Sequence, residues 1–484
     1  MPEAPASGVR TVHAGRRTEG PPLLSTDPPD RPVVRRGPIL AALLSATFMA
    51  TIDASIVNVA LPTLARDLDA SPSDTVWVTT AFLLAAACCI PATAALGDRV
   101  GRRRLFLLGV PLFTLASVAC AAAPTLDLLV AARVVQGMAS SLVLAVPIPV
   151  FRRVVPPERL GSVLGLNAMT VALGTSAGPA LGGVLLTVAS WPWLFLVNVP
   201  IGAAATALGW RYLPSVPGRQ ARFDLRGALL VAGAIAAFLL GVRGLGAVAT
   251  LPVSVALLLV GVVVTVLFVR AERRAAEPVI PPGLFTRPFS LAVVTATCSF
   301  FGQGTAFVAL PFLFQESFGD SALRSALLFT PWPAVIVVVA PLAGRLADRV
   351  SPTLLACVGL TVLAGGLVSL ALLPENASTV DVLVRTAVCG LGFAVFQSPN
   401  NRDMMSAAPL RHSSSAAGVL NLNRTVSQST GSGAVSVVFV ATGVAAGSAA
   451  AHSDAVTTVL LLGAGVVAVG AVLAAVRSRR VAAD

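Results

Sequence analysis

Long apolar runs separated by short polar gaps dominate the chain from residue 38 onward. A helix needs about 20 apolar residues to cross the roughly 30 Å of hydrocarbon in a bilayer. Runs of that length predict fourteen membrane-spanning helices, called spans 1 to 14 below. They lie near 38–61, 75–96, 104–123, 127–150, 160–186, 193–213, 226–246, 250–270, 289–314, 324–346, 353–373, 380–401, 414–443 and 455–476.

The arginines predict the orientation of these spans. They precede span 1 and then recur in every second gap, as Arg102, Arg103 and Arg104 do between spans 2 and 3. The alternate gaps hold mostly acids or no charge, with Arg66 and Arg324 as exceptions. Basic residues accumulate on the cytoplasmic side of membrane helices. Both termini are therefore predicted to be cytoplasmic, as an even number of spans also requires.

An internal repeat divides the spans into two copies of one unit. The matching positions are 60–62 with 309–311, 91 with 341, 96–100 with 346–350, 133 with 385, and 163–167 with 419–423. The offset between them drifts only from 249 to 256. Spans 1–6 and 9–14 are thus predicted to be equivalent, with spans 7–8 inserted between them. Such six-helix repeats with a site at their interface are a transporter architecture.

This repeat predicts five regions. They are a disordered cytoplasmic tail at 1–37, a six-helix bundle at 38–213, a two-helix insertion with its flanking loops at 214–288, a second six-helix bundle at 289–476, and a cytoplasmic tail at 477–484. The first tail lacks the apolar core of a signal peptide.

Composition excludes a soluble protein. The chain is 56% hydrophobic and 12% charged, whereas soluble domains carry roughly 25% charge. Its net charge is +12, and every basic residue is Arg. Because these arginines lie in the gaps between spans, they indicate membrane orientation rather than nucleic-acid binding. Arg without Lys in an Ala- and Val-rich chain is typical of a GC-rich bacterial genome.

Cysteine and histidine patterns predict neither a metal site nor a catalytic site. The six cysteines lie inside apolar runs without metal-ligand spacing, and no disulfide is expected. The three histidines, His13, His412 and His452, fall in tails and loops and are expected to be solvated. A chain without Lys has no Gly-x-x-x-x-Gly-Lys phosphate loop, so we do not expect this chain to drive transport with ATP by itself.

Asp53 stands out among the 22 acids because it alone lies well inside an apolar run. Its helical rise from the start of span 1 puts it about 22 Å deep, leaving about 9–13 Å to the outer face. Span 4, which carries Arg133, begins at that face, and Arg133 lies about 9 Å below it. A charged side chain inside the hydrocarbon core is energetically costly and usually has a functional role. We therefore predict proton coupling at Asp53, tuned by Arg133; the alternative is a static ion pair.

Span 13 is unusually polar around Arg424. Amides and hydroxyls surround it, which favours either packing against other helices or lining a wet cavity, and both remain open. Candidate substrate-cavity residues are Asn58, Gln136, Gln303, Gln397, Asn400, Asn423 and Arg424.

Two stretches combine small or charged residues at characteristic spacings. After span 2, a carboxylate beside guanidiniums at a helix end can latch neighbouring helices, although it can also be an ordinary positive-inside loop. The candidate latch residues are Gly97, Asp98, Arg99, Gly101, Arg102, Asp348 and Arg349. In span 5, small residues allow close helix packing beside a proline kink. These are Gly174, Gly178, Pro179, Gly182 and Gly183.

The loop resembles the signature of the major facilitator superfamily, with Ala94 in place of its first Gly and Ser351 where the first half has Gly101. Residues 133–137 resemble the Arg, Gln and Gly motif of its fourth helix. Residues 174–183 match its antiporter motif, Gly-x-x-x-Gly-Pro-x-x-Gly-Gly, at every defined position. Residues 52–62, 191–202 and 396–401 look like the fourteen-span drug:proton antiporter family, apart from Pro192 in place of an Arg.

The resemblance covers about 38–476 and implies an all-α major facilitator fold with two six-helix bundles rocking around a central cavity. It further implies a bacterial inner-membrane protein that exports drug-like molecules or antibiotics as protons enter, with no cofactor besides the proton gradient. Its partners would be a small-molecule substrate, protons and lipid, and it would act as a monomer. A single membrane acid favours neutral, anionic or singly charged substrates. The alternatives are a proton-linked importer or uniporter of a metabolite, and a membrane sensor that does not transport.

Overall fold

A computed structural model describes residues 36–215, 225–243, 245, 248–274, 282–347, 349–374, 376–408, 413–444 and 449–481. Within these ranges the chain is almost entirely helical and contains no strand. The all-α architecture expected from the apolar runs is confirmed.

The first half contains nine helices, several of which pair end to end to make one span. They are α1 (Arg36–Asp67), α2 (Pro72–Thr75), α3 (Trp77–Val100), α4 (Arg102–Ala121), α5 (Leu126–Leu144), α6 (Pro147–Val154), α7 (Pro157–Val188), α8 (Trp193–Leu196) and α9 (Asn198–Tyr212).

Two helices then precede the second half. These are α10 (Leu225–Arg243) and α11 (Leu251–Glu272). The second half contains α12 (Arg287–Phe312), which continues as a π-helical turn over Leu313–Ser317, followed by α13 (Ala322–Phe329), α14 (Pro331–Leu346), α15 (Pro352–Ala371), α16 (Thr379–Ala407), α17 (Ser413–Ala441) and α18 (Ala449–Val481).

Helices occur at all fourteen predicted spans, but twelve of the described segments are long and apolar enough to cross a membrane. Span 7 corresponds to α10, whose apolar part is shorter than the others. Span 13 corresponds to α17, in which amides, hydroxyls and Arg424 reduce the hydropathy. The fourteen-span count is therefore not confirmed.

Hydroxyl caps begin the same helices in both halves. Ser71 and Thr125 accept hydrogen bonds from the backbone N–H groups of Asp74 and Leu128 at the starts of α2 and α5. Ser321 and Ser378 do the same for α13 and α16. Such caps satisfy N–H groups that a helix leaves free. Their positions follow the offset of the sequence repeat.

The two halves meet at the ends of their helices that the arginine pattern places outside. Here α1 packs against α12, α3 against α17, and α7 against α13 and α14. Gln315 Nε2 donates to the Val59 carbonyl over 2.8 Å, and the Ser436 hydroxyl donates to the Ser73 carbonyl over 2.9 Å. One hydrophobic core crosses this junction, whereas the arginine-bearing ends have separate cores around Phe106 and Phe289. In the predicted orientation, the molecule is closed on its outer side.

The inserted pair lies beside the seam between the halves. Helix α10 packs against both α3 and α17, while α11 packs on α10 and leaves most of its surface exposed. The Cys88 thiol donates to the Ala232 carbonyl over 3.4 Å at this contact.

His452 differs from its expected solvated position. It is only 5% exposed, and its ring lies 6.5 Å from that of Phe439. The reason is that α18 begins at Ala449, before the predicted start of span 14, and carries His452 into the helical core. His13 and His412 lie outside the described residues. Within the described part of the chain, no group of three or more His, Cys, Asp or Glu side chains could hold a metal ion.

Candidate functional site

The Asp53 carboxylate lies fully buried inside the first half and accepts three side-chain hydrogen bonds. Arg133 Nη1 donates to Oδ2 over 2.5 Å. Gln136 Nε2 and Asn198 Nδ2 donate to Oδ1 over 2.9 Å and 2.7 Å. Charge-assisted bonds of this kind are roughly twice as strong as neutral ones. The arrangement stabilises a charged carboxylate in a site from which water is excluded.

Ser117 holds the two amides toward Asp53. Its hydroxyl oxygen accepts from Gln136 Nε2 at 2.8 Å and from Asn198 Nδ2 at 3.3 Å. Its own hydrogen goes to the Phe113 carbonyl at 2.9 Å. The hydroxyl therefore positions both amide donors without contacting the carboxylate itself.

Arg133 is fixed by further contacts around its guanidinium. Its Nε donates to the Val78 carbonyl over 2.9 Å, and Nη1 also donates to Gln136 Oε1 over 2.7 Å. The Phe82 and Phe195 rings lie 4.2 Å and 5.7 Å from its Cζ, within cation–π range. Its Nη2 has no hydrogen-bond partner among the described residues. Removing one member of such a buried pair leaves an uncompensated charge, which is strongly destabilising.

Four helices of one half supply this network: α1 carries Asp53, α4 Ser117, α5 Arg133 and Gln136, and α9 Asn198. All five side chains are fully buried. We call them the Asp53 network. The sequence predicts the pairing of Asp53 with Arg133 but points Gln136 toward the substrate cavity, and Ser117 and Asn198 are functional residues that the prediction lacks.

The glycines of α7 allow a close approach to α1 on either side of Asp53 along the helix. A Cβ at Gly174 or Gly178 would overlap the hydroxyls of Thr51 or Ser55, and one at Gly182 would lie 2.8 Å from the Ile56 carbonyl oxygen. The Ser55 hydroxyl also donates to the Gly174 carbonyl over 3.2 Å. Helix α7 is therefore in contact with the backbone that carries the buried acid.

Gly183 extends this contact to the second half. A Cβ there would lie 2.5 Å from Ala326 Cβ and 3.0 Å from Leu323 Cα, both on α13. Successive glycines of the motif thus touch α1 of one half and α13 of the other. A movement of α1 can reach the junction between the halves through α7.

Among the described residues of the second half, there is no equivalent of the Asp53 network. The residue 249 positions after Asp53 is Gly302, where a Cβ would meet Val467 and Leu367. Arg385, equivalent to Arg133, instead donates from Nε to Asp381 over 2.8 Å and from Nη1 to the Ser369 carbonyl. Only the first half combines a buried acid with a buried arginine at these positions.

The loop motif forms a tight turn between α3 and α4. Gly101 has φ 95°, a backbone conformation that favours glycine. Arg102 Nη1 donates to the Ala145 carbonyl beyond the end of α5, over 3.1 Å, while Arg99 and Arg349 are exposed. The Asp98 side chain and the whole of Asp348 lie outside the described residues. The latch stays a prediction.

The residues predicted to line a substrate cavity are held mainly in pairs. The Thr79 hydroxyl donates to Asn58 Oδ1 and the Thr297 hydroxyl to Asn423 Oδ1, each over 2.8 Å. Gln428 Nε2 donates to Gln303 Oε1, also over 2.8 Å.

Three other cavity candidates have different surroundings. Asn400 is buried and bonds to Thr295 and to the Ala292 carbonyl. Gln397 is half-buried. Arg424 is half-buried too, and its Nε is buried without a hydrogen-bond partner among the described residues.

Comparison with known proteins finds a match to the Major Facilitator Superfamily model over residues 43–432. An uncharacterized transporter, YebQ of Escherichia coli, is 38% identical over 84% of this chain and 89% of its own length. The riboflavin transporter RibZ of Clostridioides difficile is 29% identical over 77% and 81%.

A multidrug resistance protein, Stp of Mycobacterium tuberculosis, is 33% identical over 79% of this chain and 72% of its own length. Among solved structures, a bacterial homolog of the human lysosomal transporter Spinster, in an inward-facing and occupied conformation, aligns with a TM-score of 0.66. The two are 15% identical, and the match covers 92% of this chain and 97% of that one.

Proposed function

Because this chain belongs to the Major Facilitator Superfamily, we propose that it is a proton-coupled antiporter that exports drug-like or antibiotic small molecules. The observation that carries this proposal is the fully buried Asp53, whose helix α1 is packed through α7 against the second half. We propose that it belongs to the fourteen-span drug:proton antiporter branch. It would act as a monomer in a bacterial inner membrane, with both termini in the cytoplasm. The multidrug resistance relative supports a drug-like substrate.

Protonation of Asp53 is the proposed switch. The charged carboxylate binds α1 to α4, α5 and α9 through Ser117-supported amides and Arg133. A proton on Asp53 removes its charge and weakens the bond to Arg133, since Arg does not release its own proton. Helix α1 is then less strongly held, and α7 transmits its movement to α13.

The outer-closed arrangement fits one step of this cycle. In it, Asp53 has released its proton inward, and substrate enters from the cytoplasm. The halves then rock, and a proton from outside reloads Asp53 as substrate leaves. Coupling works because proton and substrate bind the two states with different affinities. The proton gradient is the energy source, without a cofactor.

Arg424 supports a neutral or anionic substrate. Its guanidinium carries a charge in the polar helix α17, and no described carboxylate pairs with it. We expect Arg424→Gln to lower the transport of carboxylate-bearing compounds more than that of neutral ones of similar size. Equal losses for both would remove Arg424 from substrate recognition.

The central test is Asp53→Asn in everted vesicles with an acidified interior, using a panel of fluorescent antibiotics as probes. We expect the variant to lose proton-driven accumulation while it still exchanges probe down a concentration gradient. Asp381→Asn is the matched control, because Asp381 bonds the equivalent arginine of the second half. Undiminished proton-driven transport by Asp53→Asn would exclude the carrier role.

A metabolite transporter is the second candidate, and the riboflavin transporter relative favours it. Riboflavin is itself fluorescent, so the same vesicles can compare its movement with that of the antibiotics. Movement of riboflavin across the vesicle membrane in the same direction as the protons, rather than in the opposite direction, would indicate proton-linked import. If riboflavin moves without any proton flux, a uniporter is indicated, and if no compound moves or stimulates proton flux, a sensor that does not transport is the remaining alternative.

A further inference from the structure

An apolar groove of about 470 Å³ runs between α4 and α9 on the outside of the first half. Pro111 and Leu115 line one wall, and Ala203, Ala207 and Trp210 line the other. Both helices pack against other helices of the first half, so this face of the bundle is turned away from the second half. In a membrane protein, such a face meets lipid.

Small residues create the groove. A Cβ at Gly202 would overlap the Thr114 hydroxyl, and one at Gly209 would overlap the Phe106 ring, so α4 and α9 lie very close together behind it. In front of that contact, Ala203 and Ala207 are too short to fill the space between the helices. The result is an open channel along the helix axes, of a shape that fits an extended hydrocarbon chain.

One end of the groove is basic. Arg104 is exposed and lies on the same face of α4 as Pro111 and Leu115, at spacings of seven and eleven residues. Arg211, also exposed, follows Trp210 on α9. Arg103 fixes this end, because Nη2 donates to the Trp210 carbonyl over 2.6 Å and Nη1 to the Ser215 hydroxyl over 2.9 Å. The Trp210 side chain is 69% exposed at the same level.

We propose that this groove binds an anionic phospholipid of the cytoplasmic leaflet, with one acyl chain between α4 and α9 and its phosphate at Arg104 and Arg211. The apolar walls match the chain, and the two guanidiniums complement a headgroup with net negative charge. Exposed Trp is typical of the headgroup level. A zwitterionic lipid would fill the same walls without the net attraction to the arginines.

The test uses native mass spectrometry of the purified full-length protein with an equimolar mixture of phosphatidylglycerol and phosphatidylcholine of identical acyl chains. We expect phosphatidylglycerol to be retained preferentially, by about fivefold per arginine near the anionic headgroup. Arg104→Gln should reduce that preference by about fivefold. Arg270→Gln, at an exposed arginine on the end of α11, should leave it unchanged.

A second pair of variants tests the walls of the groove. Ala203→Leu combined with Ala207→Leu fills the space and should abolish retention of both lipids. Ala204→Leu adds one leucine at an exposed position that does not line the groove and should retain phosphatidylglycerol. Equal retention of the two lipids by the unchanged protein would overturn the proposal. The proposal would also be overturned if the filled variant retained as much lipid as the Ala204→Leu control. Transport activity is not needed for either measurement.

Discussion

Asn198 donates a hydrogen bond to Asp53 over 2.7 Å from a position 145 residues further along the chain. Together with Arg133 and Gln136, it completes the set of side-chain donors to the carboxylate among the described residues, and it links α9 to α1. The buried acid is therefore held by neutral amides as well as by a cation. In the proposed cycle its charge state would control how four helices are held together, which makes each donor a separate target for mutation.

Asn198→Ala should lower proton-driven transport. The buried carboxylate loses one donor, and a hydrogen bond to a charged group contributes about 1.5–3 kcal/mol. The rate of proton-driven transport in vesicles, compared with the rate of probe exchange down a concentration gradient, gives the measurement. Ser117→Ala should lower it less, since Ser117 supports the amides without touching Asp53. Unchanged proton-driven transport by a folded Asn198→Ala protein would contradict this role.

Gly178→Ala should abolish transport and lower the melting temperature in detergent. The added methyl group overlaps the Ser55 hydroxyl and lies 2.9 Å from the Ile56 backbone nitrogen, so α7 must move away from α1. Overpacking of this kind typically destabilises by about 1–3 kcal/mol.

Two controls separate packing from helix propensity. Gly365→Ala adds a methyl group where no atom lies within 4 Å and should be neutral or slightly stabilising. Combining Gly178→Ala with Ser55→Ala removes the overlapping hydroxyl and should restore part of the stability. If both single alanine variants behave alike, close packing against α1 is not the purpose of Gly178.

Gln315→Leu should open the outer side of the molecule, whereas Arg66→Gln should hardly do so. The Gln315 amide is buried and joins the two halves through the Val59 carbonyl, so Gln315→Leu removes a buried hydrogen bond worth about 0.5–1.5 kcal/mol. Arg66 and Glu316 lie 3.9 Å apart with the arginine 62% exposed, a geometry worth about 0–1 kcal/mol.

Spin labels at Asp67 and Val380, which are exposed at the outer ends of α1 and α16, report this opening. The label-to-label distance distribution should shift to longer values in Gln315→Leu and stay close to the reference in Arg66→Gln. A larger shift in Arg66→Gln would show that the exposed ion pair, rather than the buried amide, holds the outer side closed.

Asp320 should make the stability of the outer loop depend on pH. Burial raises the pKa of this carboxyl above its ordinary value, against the opposing effect of Arg324, whose Nε lies 3.0 Å away. At a pH between the ordinary and the raised pKa, the folded protein holds a proton on Asp320 that the unfolded chain has lost. This contribution is present at low pH and declines as the pH rises through the raised pKa.

The measurement is the melting temperature of Asp320→Asn and of the unchanged protein over the acidic range. The two should agree best at the lowest pH. The unchanged protein should then lose stability relative to Asp320→Asn as the carboxyl ionises. A difference that is constant with pH would show that ionisation of Asp320 does not contribute.

Depth along the spans explains how much of the site was accessible from sequence. Asp53 and Arg133 lie at matching distances from the outer face, and the structure brings them into contact. The same arithmetic places Ser117 and Asn198 at that depth, because each lies five or six residues from the outer end of its predicted span. The sequence did not single them out, because hydroxyls and amides are common in membrane helices and, unlike Asp53 and Arg133, carry no charge.

Other features depend on tertiary packing that apolar patterning does not record. Gln136 follows Arg133 by less than one helical turn, and only the position of α1 shows that its amide faces Asp53 rather than a cavity. Helix α17, predicted as span 13, is unusually polar for a membrane span, and the apolar pattern does not show that it packs against α12, α3 and α10. Its surroundings, which are protein rather than lipid, make that composition stable.

The asymmetry between the halves limits what the proposed exporter can achieve. With Gly302 in place of a second acid, a carrier that uses Asp53 alone exchanges one proton for each substrate molecule. One elementary charge crossing 100 mV releases about 2.3 kcal/mol, enough to sustain roughly a fiftyfold concentration ratio of a neutral compound at that voltage. Resistance conferred by such a pump would have a ceiling set by the membrane voltage and pH gradient, and overexpression would speed the approach to that ceiling without raising it.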